Sequence, residues 1–149
     1  MKPKFWKLSQ GYKEFSFSDL LTSIEDRLVY VHKDTGPKGQ SELTQGEQFI
    51  AADIGDYFYL AHGNVGGVYL LGQFSGPANY FSSLGDGWLD RPFRVIARAV
   101  SQASYNGPNK WWTPNHNSTF VPIPESELNM FEELILQPYF DISLKDYGI

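Results

Sequence analysis

Aromatic side chains placed in loops are the residues of this chain whose types and positions best suit binding chemistry. Tyr80-Phe81 and Trp88 stand in one segment rich in Gly and Ser, and Trp111-Trp112 stand in another. Core packing explains rings on strands and helices more easily than rings on loops. Rings gathered on loops can sandwich a small planar or cationic group. The alternative, which the sequence leaves open, is that these rings clamp long loops onto the fold.

The motifs of nucleotide hydrolysis and nucleophilic catalysis are incomplete in this chain. The glycines and lysine of 36–41 lack the spacing of a phosphate-binding loop, and 72–76 does not place its serine as a nucleophile elbow does. Aspartates that adjoin glycines or turns are favoured there for local hydrogen bonding. These aspartates are Asp53, Asp56, Asp86 and Asp90. We therefore predict no catalytic residue, with a small hydrolase that uses an Asp or a His as a minor alternative.

The chain has few residues that could bind a metal or carry out redox chemistry. Cysteine is absent, which removes disulfides, thiolate metal sites and thiol catalysis. The three histidines, His32, His62 and His116, are scattered and form no pair with metal-ligand spacing. We predict neither a metal nor a cofactor.

The net charge argues against a protein that binds nucleic acid without sequence specificity. Twelve basic and 17 acidic residues give a formal net charge of −5, which still allows a local basic patch. The N-terminal end is the more plausible side for a polyanion, since 1–13 holds no acid and four lysines: Lys2, Lys4, Lys7 and Lys13. No apolar run approaches the ~18 residues of a membrane span, and no signal-peptide pattern opens the chain. We therefore expect a cytoplasmic protein with no membrane partner.

Hydrophobic periodicity predicts the elements that position these residues. Apolar residues at helical spacing predict a helix over 17–24, with Ser16 or Ser18 as its N-cap. Strands are predicted at 4–9, 28–32, 56–62, 68–74, 93–100 and, at an edge, 119–123; further helices are predicted at 47–53 and 125–136, the last ended by Pro138. The order lacks repeated βαβ units. We therefore predict one α+β domain over 1–149, with a curled, mostly antiparallel sheet near an open β-barrel, flanked by helices.

Several segments, taken in order, match the pattern of a known superfamily. Lys4–Ser9 resembles the first strand, and 56–60 with 67–74 the central hairpin, of the PUA-like superfamily that contains the EVE and YTH domains. Residues 55–64, 88–93, 111–115 and 131–140 are most similar to the N-terminal DNA-recognition domain of McrB-type modification-dependent restriction systems. The resemblance covers about residues 4–144.

The resemblance implies a non-catalytic module with a pocket for one flipped-out, modified base of double-stranded DNA. It implies a type IV restriction system whose AAA+ GTPase motor domain and nuclease subunit lie elsewhere. An RNA-binding PUA-like module is the alternative, because the same scaffold serves RNA. The pattern does not choose between methyladenine and a modified cytosine.

Twelve residues are the predicted contacts with nucleic acid. Tyr30 and His32 stand where YTH domains have a cage tryptophan, and Trp88 matches a loop that closes the cage. The predicted modified-base pocket consists of Ser9, Gln10, Tyr30, His32, His62, Asn64 and Trp88. The predicted contacts with the nucleic-acid backbone are Lys33, Lys38, Arg91, Lys110 and Asn115.

Overall fold

Six strands form one curled sheet in the computed structural model, which describes residues 3–11, 14–39, 42–63 and 67–147. The strands are β1 (Phe5–Gln10), β2 (Leu28–His32), β3 (Tyr57–His62), β4 (Val68–Phe74), β5 (Trp88–Arg98) and β6 (Phe120–Pro122). Their order across the sheet is β2-β5-β4-β3-β1-β6. Neighbouring strands are antiparallel except β1 and β3, which are parallel. The prediction of an α+β fold with a curled, mostly antiparallel sheet is confirmed.

The curl of the sheet comes from β5, whose two halves pair with different strands. Its first half, from Trp88 to Pro92, pairs with β2, and its second half, from Phe93 to Arg98, pairs with β4. Pro92, which has no N–H to donate, lies where the partner changes. The sequence prediction began this strand at residue 93; the structure extends it back to Trp88, because the changeover accommodates the proline.

Each face of the sheet carries an apolar layer. Alternate residues of a strand point to opposite faces, so Trp6 and Leu8 face one layer and Phe5 the other. The first layer packs under α1 (Phe17–Asp26) and α2 (Gln45–Ala51). The second packs against Trp112 and the C-terminal helical segment. The sheet is therefore covered on both sides along most of β1.

The helices begin where local chemistry favours them. The Oγ of Ser16 accepts from the N–H of Asp19, whose carboxylate accepts from the N–H of Ser16, so Ser16 is the N-cap of α1. Thr44 is the N-cap of α2, and its Oγ1 accepts from the N–H of Glu47 at 3.0 Å. Among the described residues, no helix is long and apolar enough to cross a membrane.

The C-terminal helical segment changes geometry along its length. A 3-10 turn (Glu125–Glu127) leads into α3 (Leu128–Phe131), which continues as π-helical turns (Glu132–Phe140), and a further 3-10 turn spans Leu144–Tyr147. The prediction that Pro138 ends the helix is wrong, since the segment runs on to Asp141 in the left-handed conformation. The wider π-helical turns give the proline ring room that α-helical turns lack.

Candidate functional site

A cavity of about 680 Å³ opens at the carboxyl end of β1. The end of β2, the start of β5 and the segment 116–119 complete its walls. Four of the predicted pocket residues line it: Ser9, Tyr30, His32 and Trp88. Further lining residues, which sequence analysis did not select, include Glu14, Phe15, Thr35, His116, Asn117 and Ser118. A groove of about 710 Å³ lies at the opposite end of β1, beside Phe5 and Leu128, and contains none of the predicted site residues.

Aromatic rings form one wall of the cavity. The rings of Phe15 and Tyr30 lie 5.9 Å apart at an interplanar angle of 30°. Trp88 meets Phe15 edge-on, with centroids 5.5 Å apart, and meets His32 edge-on at 5.1 Å. Strand register explains this grouping: Tyr30 and His32 are two residues apart on β2, and His32 pairs with Trp88 across β5. Phe15 could have been found from its place directly before the N-cap Ser16, where an apolar residue often packs onto the fold.

The opposite wall carries hydrogen-bonding groups. Ser9 Oγ donates to the carbonyl of Gly63 at 3.3 Å. Ser118 Oγ donates to the carbonyl of Trp111 and accepts from Lys7 Nζ at 2.9 Å. A ligand held here would therefore meet rings from β2 and β5 and polar groups from β1 and the segment 116–119.

Two histidines of the cavity have complementary hydrogen-bonding character. His32 Nδ1 accepts from the N–H of Asp34 at 3.2 Å, which leaves the proton of the neutral ring on Nε2. His116 Nδ1 lies 2.8 Å from Asn109 Oδ1, which places the proton on Nδ1 and leaves Nε2 an acceptor. Burial, with the positive charges of Lys7 and Lys38, lowers the pKa of His116, so this ring is neutral at pH 7. One imidazole is thus a donor and the other an acceptor.

Lys7 is a buried amine beneath the polar wall. Its Nζ donates to the carbonyl of His116 at 2.7 Å and to Ser118 Oγ, so it holds the segment 116–119 against β1. Burial lowers its pKa to about 7. The prediction that the N-terminal lysines face a polyanion is therefore wrong for Lys7. Lys4 is exposed, and Lys2 and Lys13 lie outside the described residues.

The phenol of Tyr30 remains protonated at neutral pH. Burial raises its pKa, the negative charges of Asp90 and Asp26 raise it further, and hydrogen bonding with Ser83 acts in the opposite direction. Tyr30 therefore offers both a ring face and a hydroxyl donor.

Gln10 and His62 lie behind the cavity, so the prediction that they contact a base is wrong. Gln10 is buried, and its Oε1 accepts from the N–H of Tyr30 at 3.1 Å. His62 is also buried, and its Nε2 donates to the carbonyl of Phe15 at 2.8 Å. Both side chains fix the backbone of residues whose rings form the wall. Asn64 lies outside the described residues.

Arg91 is buried, and the prediction that it contacts phosphate is wrong. Its guanidinium donates to the carbonyls of Phe49 and Ala52 at the end of α2, and to that of Gly76. It also lies 4.3 Å from the centroid of the Phe74 ring. Its guanidinium therefore joins the end of α2 and the loop at Gly76 to β5.

The other four residues predicted to contact the nucleic-acid backbone differ in the exposure and in the existing partners of their side chains. The side chain of Lys33 is 57% exposed and pairs with the aspartate that follows it. Lys38 is exposed. Lys110 Nζ lies 3.0 Å from a carboxylate oxygen of Glu127, and Asn115 bonds within its own loop. Lys33 and Lys38 are the two with exposed side chains, although Lys33 shares its charge with Asp34, and both lie on the segment that follows β2.

The paired tryptophans serve packing. Trp112 is fully buried, and its Nε1 donates to Glu127 at 2.7 Å. The ring of Trp111 covers Gly39 so closely that a Cβ there would lie 2.9 Å from the ring. The clamping interpretation therefore describes these two rings. Tyr80 and Phe81 are instead exposed.

No protein-family model matches this chain, and no curated protein matches its sequence. Among solved structures, it is similar to a hypothetical protein from Leishmania major, at 17% identity and a TM-score of 0.51, over 89% of this chain and 96% of that one. A Rhodopseudomonas palustris protein determined by NMR is also similar, at 11% identity and a TM-score of 0.39, over 97% of this chain and 79% of that one.

The Leishmania structure shows a shared fold and nothing about function. The fold and the cavity define the class of protein: an α+β half-barrel with an aromatic-walled cavity at one end of its sheet. Within the described part of the chain, no three His, Asp or Glu side chains form a group that could hold a metal ion.

Proposed function

We propose that this protein is a non-catalytic reader of modified double-stranded DNA, which flips the modified base into the cavity walled by Phe15, Tyr30, His32 and Trp88. The observation that carries the proposal is the meeting of these rings at one cavity, opposite a polar wall. A flipped base has two apolar faces and hydrogen-bonding groups only at its edge. Such a molecule fits a cavity with rings on one side and serine and histidine on the other.

The energetics indicate which contacts matter most. Flipping costs a few kcal/mol of lost stacking and pairing. Stacking on aromatic rings returns roughly 1–3 kcal/mol per base, so the rings offset much of this cost. A buried methyl group adds about 0.8 kcal/mol, or about a fourfold preference. Stronger discrimination between bases therefore has to come from hydrogen bonds at the base edge, for which the His32 and His116 imidazoles are placed.

The wider role follows from the resemblance to McrB-type recognition domains. The protein would act in the cytoplasm as the targeting module of a type IV restriction system. An AAA+ GTPase motor domain and a nuclease subunit would supply the cleavage. Lys33 and Lys38 would hold the flanking phosphates, so the affinity should fall as salt rises.

A fluorescence-anisotropy titration tests the proposal. The probes are matched duplexes with no modification, N6-methyladenine, 5-methylcytosine or 5-hydroxymethylcytosine, beside an RNA duplex and an RNA single strand. We expect tighter binding to one modified duplex. Trp88→Ala should weaken that binding by roughly 5- to 150-fold, the scale of one lost stacking contact.

Phe17→Ala is the matched control, because Phe17 is a half-exposed aromatic residue of α1 that does not line the cavity. Equal, weak binding to every DNA would contradict the proposal. A preference for RNA in the same series would favour the RNA-binding alternative, and turnover of a substrate would favour the hydrolase.

A further inference from the structure

Phe81 has the most exposed large apolar side chain of the described residues, with 90% of its surface open to solvent. Tyr80 and Leu84 on the same loop are also exposed. Single exposed apolar residues are ordinary, whereas several on one loop beside a cavity indicate a contact surface.

The loop that carries Phe81 is ordered by its own hydrogen bonds. At its base, Asn79 and Asp90 exchange backbone bonds of 2.7 and 3.2 Å. Near its tip, the N–H of Phe81 donates to Asn79 Oδ1, and the N–H of Leu84 donates to Ser82 Oγ. The loop therefore holds the Phe81 ring out into solvent.

The same loop adjoins residues that line the cavity. Its returning leg enters β5 at Trp88, and the carbonyl of Gly87 accepts from the N–H of Lys33 at 2.8 Å. Gly87 lies so close to the imidazole of β2 that a Cβ there would come within 2.7 Å of His32 Nε2. Ser83, on the same loop, opposes the rise in the pKa of the Tyr30 phenol. Phe81 thus stands on a loop that adjoins His32 and Trp88 of the cavity wall.

We propose that Phe81 enters the base stack of the duplex and fills the space left by the flipped base. This inference rests on the proposed function and extends it from the cavity to the duplex. A flipped base leaves its neighbours without a stacking partner, and an apolar ring inserted between base pairs replaces that contact. Because the ring is already exposed, insertion does not first require it to leave the core.

A comparison of double-stranded and single-stranded DNA separates this role from that of a cavity wall. A single strand has no paired stack to open, so a ring that fills the stack contributes only to duplex binding. The probes are a duplex and a single strand of one sequence, both with the modified base that the wild type prefers. Phe81→Ala should weaken duplex binding by about tenfold, the scale of one lost stacking contact, and single-strand binding by less than about twofold.

Two further variants act as controls. Phe81→Trp keeps a large ring and should retain duplex binding. Ile54→Ala removes another exposed apolar side chain, 61% open to solvent, between α2 and β3, and should change neither affinity.

Each other outcome overturns the inference in a recognisable way. An equal loss for duplex and single strand would make Phe81 part of the cavity wall. Wild-type affinity of Phe81→Ala for both would overturn the insertion role and leave the proposed function standing. If the wild type binds modified and unmodified duplexes alike, the proposed function fails, and this inference fails with it. A change in sedimentation behaviour without a change in DNA affinity would identify the loop as a protein interface.

Discussion

Lys7→Met should remove a large pH dependence from the stability of this fold. In the folded protein the pKa of Lys7 is about 7, against an ordinary value of 10.5. Between these values the unfolded chain binds a proton that the folded chain does not, so the free energy of unfolding rises with pH. The part of the free energy of unfolding that depends on Lys7 is fully present above pH 10.5 and is lost as the pH falls toward 7.

The size of the effect follows from the displacement of the pKa. Each pKa unit corresponds to about 1.4 kcal/mol, so the full difference is about 5 kcal/mol. At pH 7 the folded-state amine is half protonated, and by pH 9 it is almost wholly neutral. The wild type should therefore gain about 2 kcal/mol from Lys7 between pH 7 and pH 9.

Urea unfolding at pH 7, 8 and 9, followed by tryptophan fluorescence, measures this gain. The chain has no cysteine, so no thiol titrates in this pH range. The test is the change with pH rather than the absolute stability, since Lys7→Met also leaves the His116 carbonyl without its donor. Lys4→Met, at an exposed lysine, should keep the wild-type pH dependence. Parallel curves for wild type and Lys7→Met would refute the reasoning and show that the buried amine keeps its ordinary pKa.

Three further substitutions test the loops and caps. Gly87→Ala should lower the affinity for modified DNA more than Gly85→Ala. Both glycines have a positive φ, but only at Gly87 would a Cβ collide with His32. Anisotropy titrations measure the two affinities, and equal effects would contradict the prediction. Arg91→Met should lower the free energy of unfolding in urea by about 2–4 kcal/mol, because three charge-assisted hydrogen bonds are lost. A changed salt dependence of the DNA affinity would contradict the buried role of Arg91. Ser16→Ala should cost about 1 kcal/mol, and an unaltered thermal midpoint would show that the cap contributes nothing.

Elements set by local pattern were predictable from the sequence. The bounds of β2 at Leu28–His32 and the cap of α1 at Ser16 depend on residues within a few positions of one another. The same holds for β3 and β4, whose connection is short. The grouping of Tyr30, His32 and Trp88 depends on the pairing of β2 with β5 as well, which a local pattern does not give.

Residues that the chain buries through distant segments were not predictable in this way. Lys7 alternates with Trp6 and Leu8 as a solvent-facing residue of an edge strand would, but segments more than a hundred positions away cover it. Arg91 finds main-chain carbonyls for partners, and these leave no trace in a side-chain pattern. A proline ends or kinks an α-helix, which is why Pro138 was predicted to end this one. Pro138 lies instead within π-helical turns, which the sequence pattern did not predict.

The place of β1 within the sheet fixes when the cavity forms during protein synthesis. β1 leaves the ribosome long before its partner β6, in which Phe120 pairs with Leu8 of β1. The ring of Trp6 stacks on that of Phe120 with centroids 4.5 Å apart, and Lys7 bonds to Ser118, 111 residues later. Contacts so far apart in sequence form late, because the whole intervening chain must first be closed into a loop. A nascent chain that stops before residue 116 therefore lacks the segment that closes the cavity, and the cavity forms only after that segment has been made.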